Sequence, residues 1–173
     1  MSPASEVLPD ILGPGLKVVF CGTAAGRISA REGAYYAGPG NLFWQMLYQM
    51  GLTPRVLEPH EYVTVRQYGI GLTDLAKHTS GADKSLRVQD FDTAALRWKI
   101  KMHAPLALAF NGKRAAQEFY GRRNIPYGRL REPLGSTAVF VLPSTSSLAR
   151  RFWDESAWME LAEWLREREG QRT

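Results

Sequence analysis

The chain has 173 residues, 45% of them hydrophobic and 23% charged, enough for one domain with a sizeable core. Its formal net charge of +5 favours polyanionic partners without requiring one. A single cysteine excludes an internal disulfide and a thiolate metal cluster, and no apolar run approaches the length that spans a membrane. The opening residues carry no secretory-signal pattern, so a reducing cytoplasm is the expected location.

Residues 1–15, with Pro3, Pro9, Pro14, Gly13 and Gly15, read as an irregular lead-in that packs Leu8, Ile11 and Leu12 onto a single domain spanning 1–173. Lys17–Cys21 is an apolar strand feeding a small-residue turn, Gly22-Thr23-Ala24-Ala25-Gly26, where a ligand can come close to the backbone. Cys21 at the strand's end reads as a buried small hydrophobe. Tyr35 and Tyr36 lie just beyond the turn and offer flat surfaces for a base.

Asn41 is placed to cap a helix through Phe43, Trp44, Leu47 and Met50, which share one face, with Gly51 ending it. A short helix is expected after Pro59. Ile70–Leu75 reads as a short strand with Asp74 at its end, and the polar residues 76–91, which include Gly81, read as a loop. Asp92 caps the next helix, with Leu96, Ile100 and His103 on one face. Leu106–Phe110 is a continuous apolar run, as in a strand covered on both sides, and a helix over 113–119 follows. Residues 121–136 form a basic connection carrying Arg122, Arg123, Arg129 and Arg131. Thr137–Leu142 is the last buried strand, stopped by Pro143. Asp154 caps a terminal helix with Trp158, Leu161 and Leu165 inward.

Strands alternating with helices imply a parallel sheet with helices on both faces. Ligands of such folds sit beyond the strand C-termini, here 22–40, 71–83 and 143–151.

Three motifs carry a resemblance that spans roughly residues 16–165: Phe20-Cys21-Gly22-Thr23-Ala24-Ala25-Gly26, Tyr36-Ala37-Gly38-Pro39-Gly40-Asn41-Leu42-Phe43-Trp44, and Val141-Leu142-Pro143-Ser144-Thr145-Ser146-Ser147-Leu148-Ala149-Arg150. In order and spacing they resemble the mismatch-specific uracil-DNA and thymine-DNA glycosylase family. The resemblance implies a three-layer αβα fold with a small, mostly parallel central sheet. It also implies hydrolysis of the N-glycosidic bond of a damaged or mispaired base in DNA, with no metal and no cofactor. Two departures mark a divergent branch. The family's first motif has asparagine then proline where this chain has Ala24 and Ala25, and alanine cannot position a water. Its third motif has asparagine-proline-serine-glycine where this chain has Ser144-Thr145-Ser146-Ser147.

The chemistry needs an extruded base, a filler for the vacated stack and a carboxylate near the cationic sugar. Base contacts are assigned to Gly22, Thr23, Ala24, Gly26, Tyr36 and Asn111. Backbone N–H groups of 22–26 face the pyrimidine carbonyls, and Asn111 offers both a donor and an acceptor. Leu148 is the wedge candidate in a DNA-contacting segment with Ser146, Ser147, Arg150 and Arg151. With Ala24 inert, Asp83 is the first choice of acid and Asp74 the second. Lys77, Lys84, Arg27 and Arg31 are further phosphate contacts, His78 reads as a surface or DNA-contacting side chain before an electrophile, and His60 and His103 lie on predicted helices, too scattered for a metal site.

The expected function is a monomeric, monofunctional uracil-DNA glycosylase of base-excision repair whose partner is uracil-containing DNA and not a membrane. A protein that binds uracil DNA or damaged DNA without cutting it is the alternative, as is a glycosylase whose main lesion is hypoxanthine or mispaired thymine. A nucleotide-binding domain unrelated to repair is a third reading, although the first turn is neither a P-loop nor a dinucleotide fingerprint.

Overall fold

The computed structural model of the chain describes residues 5–171. Among them five strands form one sheet: β1 (Val18–Ala25), β2 (Ile70–Ser80), β3 (Ala107–Asn111), β4 (Gly128–Arg129) and β5 (Ala138–Leu142). Their order is β2-β1-β3-β5-β4; only β4 runs antiparallel to its neighbour. The strands β1, β3 and β5 hold the centre because their runs of Val, Ala, Leu and Phe tolerate burial on both faces.

Five α-helices cover the sheet: α1 (Arg27–Glu32), α2 (Phe43–Gln49), α3 (Thr93–His103), α4 (Lys113–Tyr120) and α5 (Ser156–Gly170). On one face Val18, Phe20 and Phe140 pack against Phe43 and Leu47 of α2 and Trp158, Leu161 and Leu165 of α5. On the other, Val19, Leu108, Phe110 and Val139 pack against Leu96 and Ile100 of α3 and Ala115, Ala116 and Phe119 of α4. The result is the expected three-layer α/β/α arrangement with a mostly parallel central sheet. No helix among the described residues is long and apolar enough to cross a membrane.

The cap residues do what their chemistry suggests. The Asp92 carboxylate accepts from the Ala95 N–H, Asp154 from the Ser156 N–H, and the Asn41 side chain from the Phe43 N–H. After Pro59 the chain forms a ten-residue 3-10 helix, Pro59–Tyr68, entered through reciprocal bonds of Glu58 and Glu61.

The structure corrects the sequence reading at three places. Gly22–Ala25 is strand rather than turn: β1 continues through it, Gly22 opposite Asp74 and Ala24 opposite Ala76. Residues 76–80 are strand rather than loop: β2 continues to Ser80, which lies opposite Ala25 after a register shift. Asp74 therefore sits inside β2 instead of ending it. Residues 27–32, which carried no helix expectation, form α1.

Of the lead-in, residues 1–4 lie outside the described residues, and the stretch from Val7 to Ile11 lies along the outer edge of β2. Val7 N–H donates to the Lys77 carbonyl, and Ile11 and Leu72 exchange backbone bonds. This occupies an edge that would otherwise present open backbone groups.

Candidate active site

The parallel strands end on one side of the sheet, and there the chain leaves a cleft of about 910 Å³. That is at the upper end for a small-molecule site, large enough for a base with its sugar. Its lining comes from the exits of β1 (22–29), β2 (81–84), β3 (Asn111) and β5 (144–149 and Arg151), together with Tyr35, Tyr36, Asp74 and Leu8. The acid, base-contact and DNA-contact candidates all line it except Arg150; of the further phosphate contacts, Arg27 and Lys84 line it while Lys77 and Arg31 do not. Arg150 is turned away from the lining, and its guanidinium donates to the Gly40 carbonyl.

Strand pairing explains how the cleft opens. β1 pairs with β3 only as far as Cys21 opposite Phe110, while its other edge stays paired with β2 to Ala25. From Gly22 onward one backbone edge of β1 is therefore free of the sheet. Thus the N–H groups of 22–25 divide between the β2 ladder and the cleft instead of all facing a ligand, which amends the expectation for this segment.

Asp74 projects into the floor of this space. Its residue is 6% exposed. Burial pushes its carboxyl up to about 6; the Lys77 charge pulls it down, Asp10 adds to the rise, and the Gly22 N–H and Lys99 oppose it. Asp83 differs in every respect. It is exposed, opens a one-turn 3-10 segment at 83–85, and accepts a 2.6 Å bond from the Thr23 hydroxyl. Arg114 of α4 donates to its backbone carbonyl. These contacts tie the 81–85 loop to the exit of β1 and to α4.

Tyr36 has a left-handed backbone (φ 54°), which costs a non-glycine residue energy and is sustained only by its surroundings. Its ring lies 4.1 Å from that of Phe43, which in turn meets Trp158 and Phe20. The hydroxyl is buried and closes no hydrogen bond. Burial and the Asp74 charge push its ionisation well up, and the Asn111 amide works the other way. Tyr35 is buried; its hydroxyl donates to the Pro9 carbonyl and receives the Lys77 ammonium.

The Asn111 amide is committed on both sides. Its Nδ2 donates to the Thr145 hydroxyl and its Oδ1 accepts from the Thr145 N–H, each at 3.0 Å. The Leu42 N–H donates to the Thr145 carbonyl, so these bonds clamp the exits of β3 and β5 to the entry of α2. Beyond Thr145 the chain turns outward. Ser146 caps the 3-10 segment Ser147–Phe152 by accepting from the Leu148 N–H. Leu148 on that segment is 81% exposed, with Arg151 beside it. So large an exposed leucine at the rim of a cleft has no packing role in the fold.

Lys77 is a correction. A surface phosphate contact was expected, but the side chain is buried and pairs with Asp10 at 2.7 Å. Asp10 also binds Lys99 at 2.6 Å and the Thr73 hydroxyl at 2.6 Å. Burial pushes the Asp10 carboxyl up, yet these partners hold it below the usual range. Sequence reasoning passed over Leu8 and Asp10 as site residues; a lone acid in a Pro- and Gly-rich lead-in gives no periodic signal. His60, His78 and His103 do not converge, and no group of metal-ligating side chains occurs among the described residues.

Residues 9–165 match the family model described as the Uracil DNA glycosylase superfamily. Among solved structures, the chain is similar to the solution NMR structure of a protein from Methanosarcina acetivorans provisionally described as a uracil DNA glycosylase. The TM-score is 0.61 at 22% identity, covering 94% of this chain and 98% of that one. At that identity the likeness speaks for the fold.

Proposed function

The chain belongs to the uracil DNA glycosylase superfamily, and from that premise we propose that this DNA glycosylase removes uracil from DNA after flipping it out of the stack, as a monomer and with water as nucleophile. Within the superfamily its three motifs resemble the mismatch-specific uracil and thymine branch. The observation that carries the reading is Asp74, a buried carboxylate in the floor of the cleft beside the open edge of β1.

Asp74 does the work of the family asparagine, which Ala24 in its place cannot do. Water attacks the sugar C1′ as the C1′–N1 bond breaks. The bonding pair leaves with the base, and the water proton passes to the Asp74 carboxylate. The product is an abasic sugar and a uracil anion that takes its proton from solvent. The negative charge of Asp74 also stabilises oxocarbenium character on the sugar. A carboxyl raised to about 6 is ionised at neutral pH yet basic enough to accept that proton. Asp83, exposed and screened by water, latches the 81–85 loop over the mouth through Thr23. Backbone N–H groups on the free edge of β1 and the Asn111 amide face the base carbonyls, where charge grows as the bond breaks. Tyr36, backed by Phe43, supports the ring. Leu148 fills the vacated stack, and Arg151 meets phosphate.

The test is single-turnover incubation with uracil-containing single- and double-stranded oligonucleotides, followed by alkali to reveal abasic sites. Uracil release with no borohydride-trapped protein–DNA adduct is expected; absence of release from every uracil substrate sinks the reading. One observation favours a second reading. Ala24 brings no polar atom to the cleft, so tight binding of uracil DNA without release would identify a recognition protein. Release of hypoxanthine or mispaired thymine in preference to uracil would instead keep the chemistry and move the lesion.

A further inference from the structure

Asp74 and Lys77 are the two charged residues buried among the described ones, at 6% and 7% exposure, and they lie three residues apart on β2. Lys77 is held from several sides. Its ammonium contacts Asp10 Oδ1 at 2.7 Å, donates to the Tyr35 hydroxyl at 3.2 Å and lies 5.7 Å from the Tyr35 ring centre. Its carbonyl receives the Val7 N–H. Asp10 takes a second ammonium, that of Lys99. Two lysines thus share one carboxylate, and one positive charge remains in excess in a poorly hydrated place. An isolated buried charge is costly, and a further carboxylate nearby relieves it.

We propose that Lys77, clamped by Asp10 and Tyr35, is a positioning residue that holds Asp74 in its carboxylate form, which makes the lead-in segment part of the working site. The inference rests on the reading of Asp74 as the acid of the reaction. The groups that act on Asp74 come from each element around it: Lys77 on its own strand, Asp10 from the lead-in, Lys99 from α3, Cys21 from β1, and Tyr35 and Tyr36 from the loop after α1. The thiol and both phenols are pushed up by burial and stay neutral at physiological pH. Asp83 and Lys84 lie at the exposed mouth of the cleft, where water screens them. Beyond burial, which raises Asp74, and the Gly22 N–H, which lowers it, the charges acting on it are two lysines against Asp10.

That balance gives opposite signs for two substitutions. The carboxyl of Asp74 is followed by ¹³C NMR, assigned by its disappearance in Asp74→Asn, alongside the pH dependence of single-turnover uracil release. Lys77→Met is expected to move the Asp74 midpoint and the acid limb of release upward by about one pH unit. Asp10→Asn moves both downward, and Lys77→Arg stays near wild type. An unmoved Asp74 midpoint in folded Lys77→Met overturns the inference. If Lys77→Met does not fold, an upward or absent shift in Asp10→Asn overturns it. If the midpoints shift as stated but Asp74→Asn still releases uracil at the wild-type rate, the electrostatic hold stands and Asp74 is not the acid.

Discussion

The Asp74 carboxylate and the Tyr36 hydroxyl meet over Gly22. A Cβ placed on Gly22 would lie 2.8 Å from Asp74 Oδ1 and 3.4 Å from the Tyr36 oxygen. The first distance is shorter than real Cβ contacts allow, and the short side chain of Asp74 must rotate to relieve it. A displacement of this size at a reacting group is worth up to about 100-fold in rate. Gly22→Ala is therefore expected to slow uracil release by about 10- to 100-fold while the protein still melts cooperatively. Gly170→Ala is the control, since Gly170 lies on α5 away from the cleft and a Cβ there meets nothing within 4 Å. It should release uracil at the wild-type rate in the same single-turnover assay.

Asp74→Asn separates catalysis from stability. Release is expected to fall by about 10²- to 10⁴-fold, the usual worth of a positioned acid or base. Stability moves the other way. The folded carboxyl titrates near 6 against an ordinary value of 3.8, so burial favours the protonated form. That contribution is complete below about pH 4 and is lost as the pH rises through 6. Above pH 6 the wild type carries the full cost of a buried charge, on the order of 2–3 kcal/mol, and the neutral amide does not. Urea unfolding should show the variant more stable at pH 7.5, with the gap closing as the pH falls toward 4. A gap that widens on acidification would contradict the burial argument.

The parts of this fold that could be read from the sequence are those whose chemistry is local. The runs Val18–Cys21, Ala107–Phe110 and Ala138–Leu142 are apolar at every position, which suits only a strand covered on both faces. Asp92 and Asp154 stand where a carboxylate satisfies free N–H groups, and the helices begin there. What could not be read depends on distant partners. Lys77-His78-Thr79-Ser80 looks like a loop because its polarity breaks the strand pattern. Yet Lys77 is buried against Asp10, 67 positions away in sequence, and Ser80 reaches Ala25 only through a register shift. The helix α1 is six residues long, starts after Gly26 without a side-chain cap, and has little periodicity to reveal it. The cleft residues were found through three short motifs. The relative merits of Asp74 and Asp83 turn on burial, which spacing does not encode.

Leu148→Ala tests the rim. At 81% exposure the side chain adds little to the fold, and the unfolding free energy should stay within about 0.5 kcal/mol of wild type. A residue that enters the stack matters where there is a stack to enter. Uracil release from duplex DNA is expected to drop about tenfold, and release from single strands much less. Equal losses on the two substrates would point to a leucine that serves binding in general rather than filling the space a flipped base leaves.

Asn111 is both a clamp and a candidate base contact, and two substitutions separate these roles. Asn111→Ala removes both bonds to Thr145 and strands the buried Thr145 N–H, at a cost of about 1–3 kcal/mol. Asn111→Asp keeps the clamp, because a carboxylate accepts from the Thr145 N–H and from the Thr145 hydroxyl as well. It places a negative charge where the carbonyl oxygens of the base gather charge as the bond breaks. Measured at pH 8, where Asp74 is ionised, Asn111→Asp carries the cost of a second buried charge and should unfold at a lower urea midpoint than wild type while still melting cooperatively, and should release uracil about 100-fold more slowly. Wild-type release from a folded Asn111→Asp would mean that the amide serves the clamp alone, leaving the open edge of β1 as the source of donors to the base.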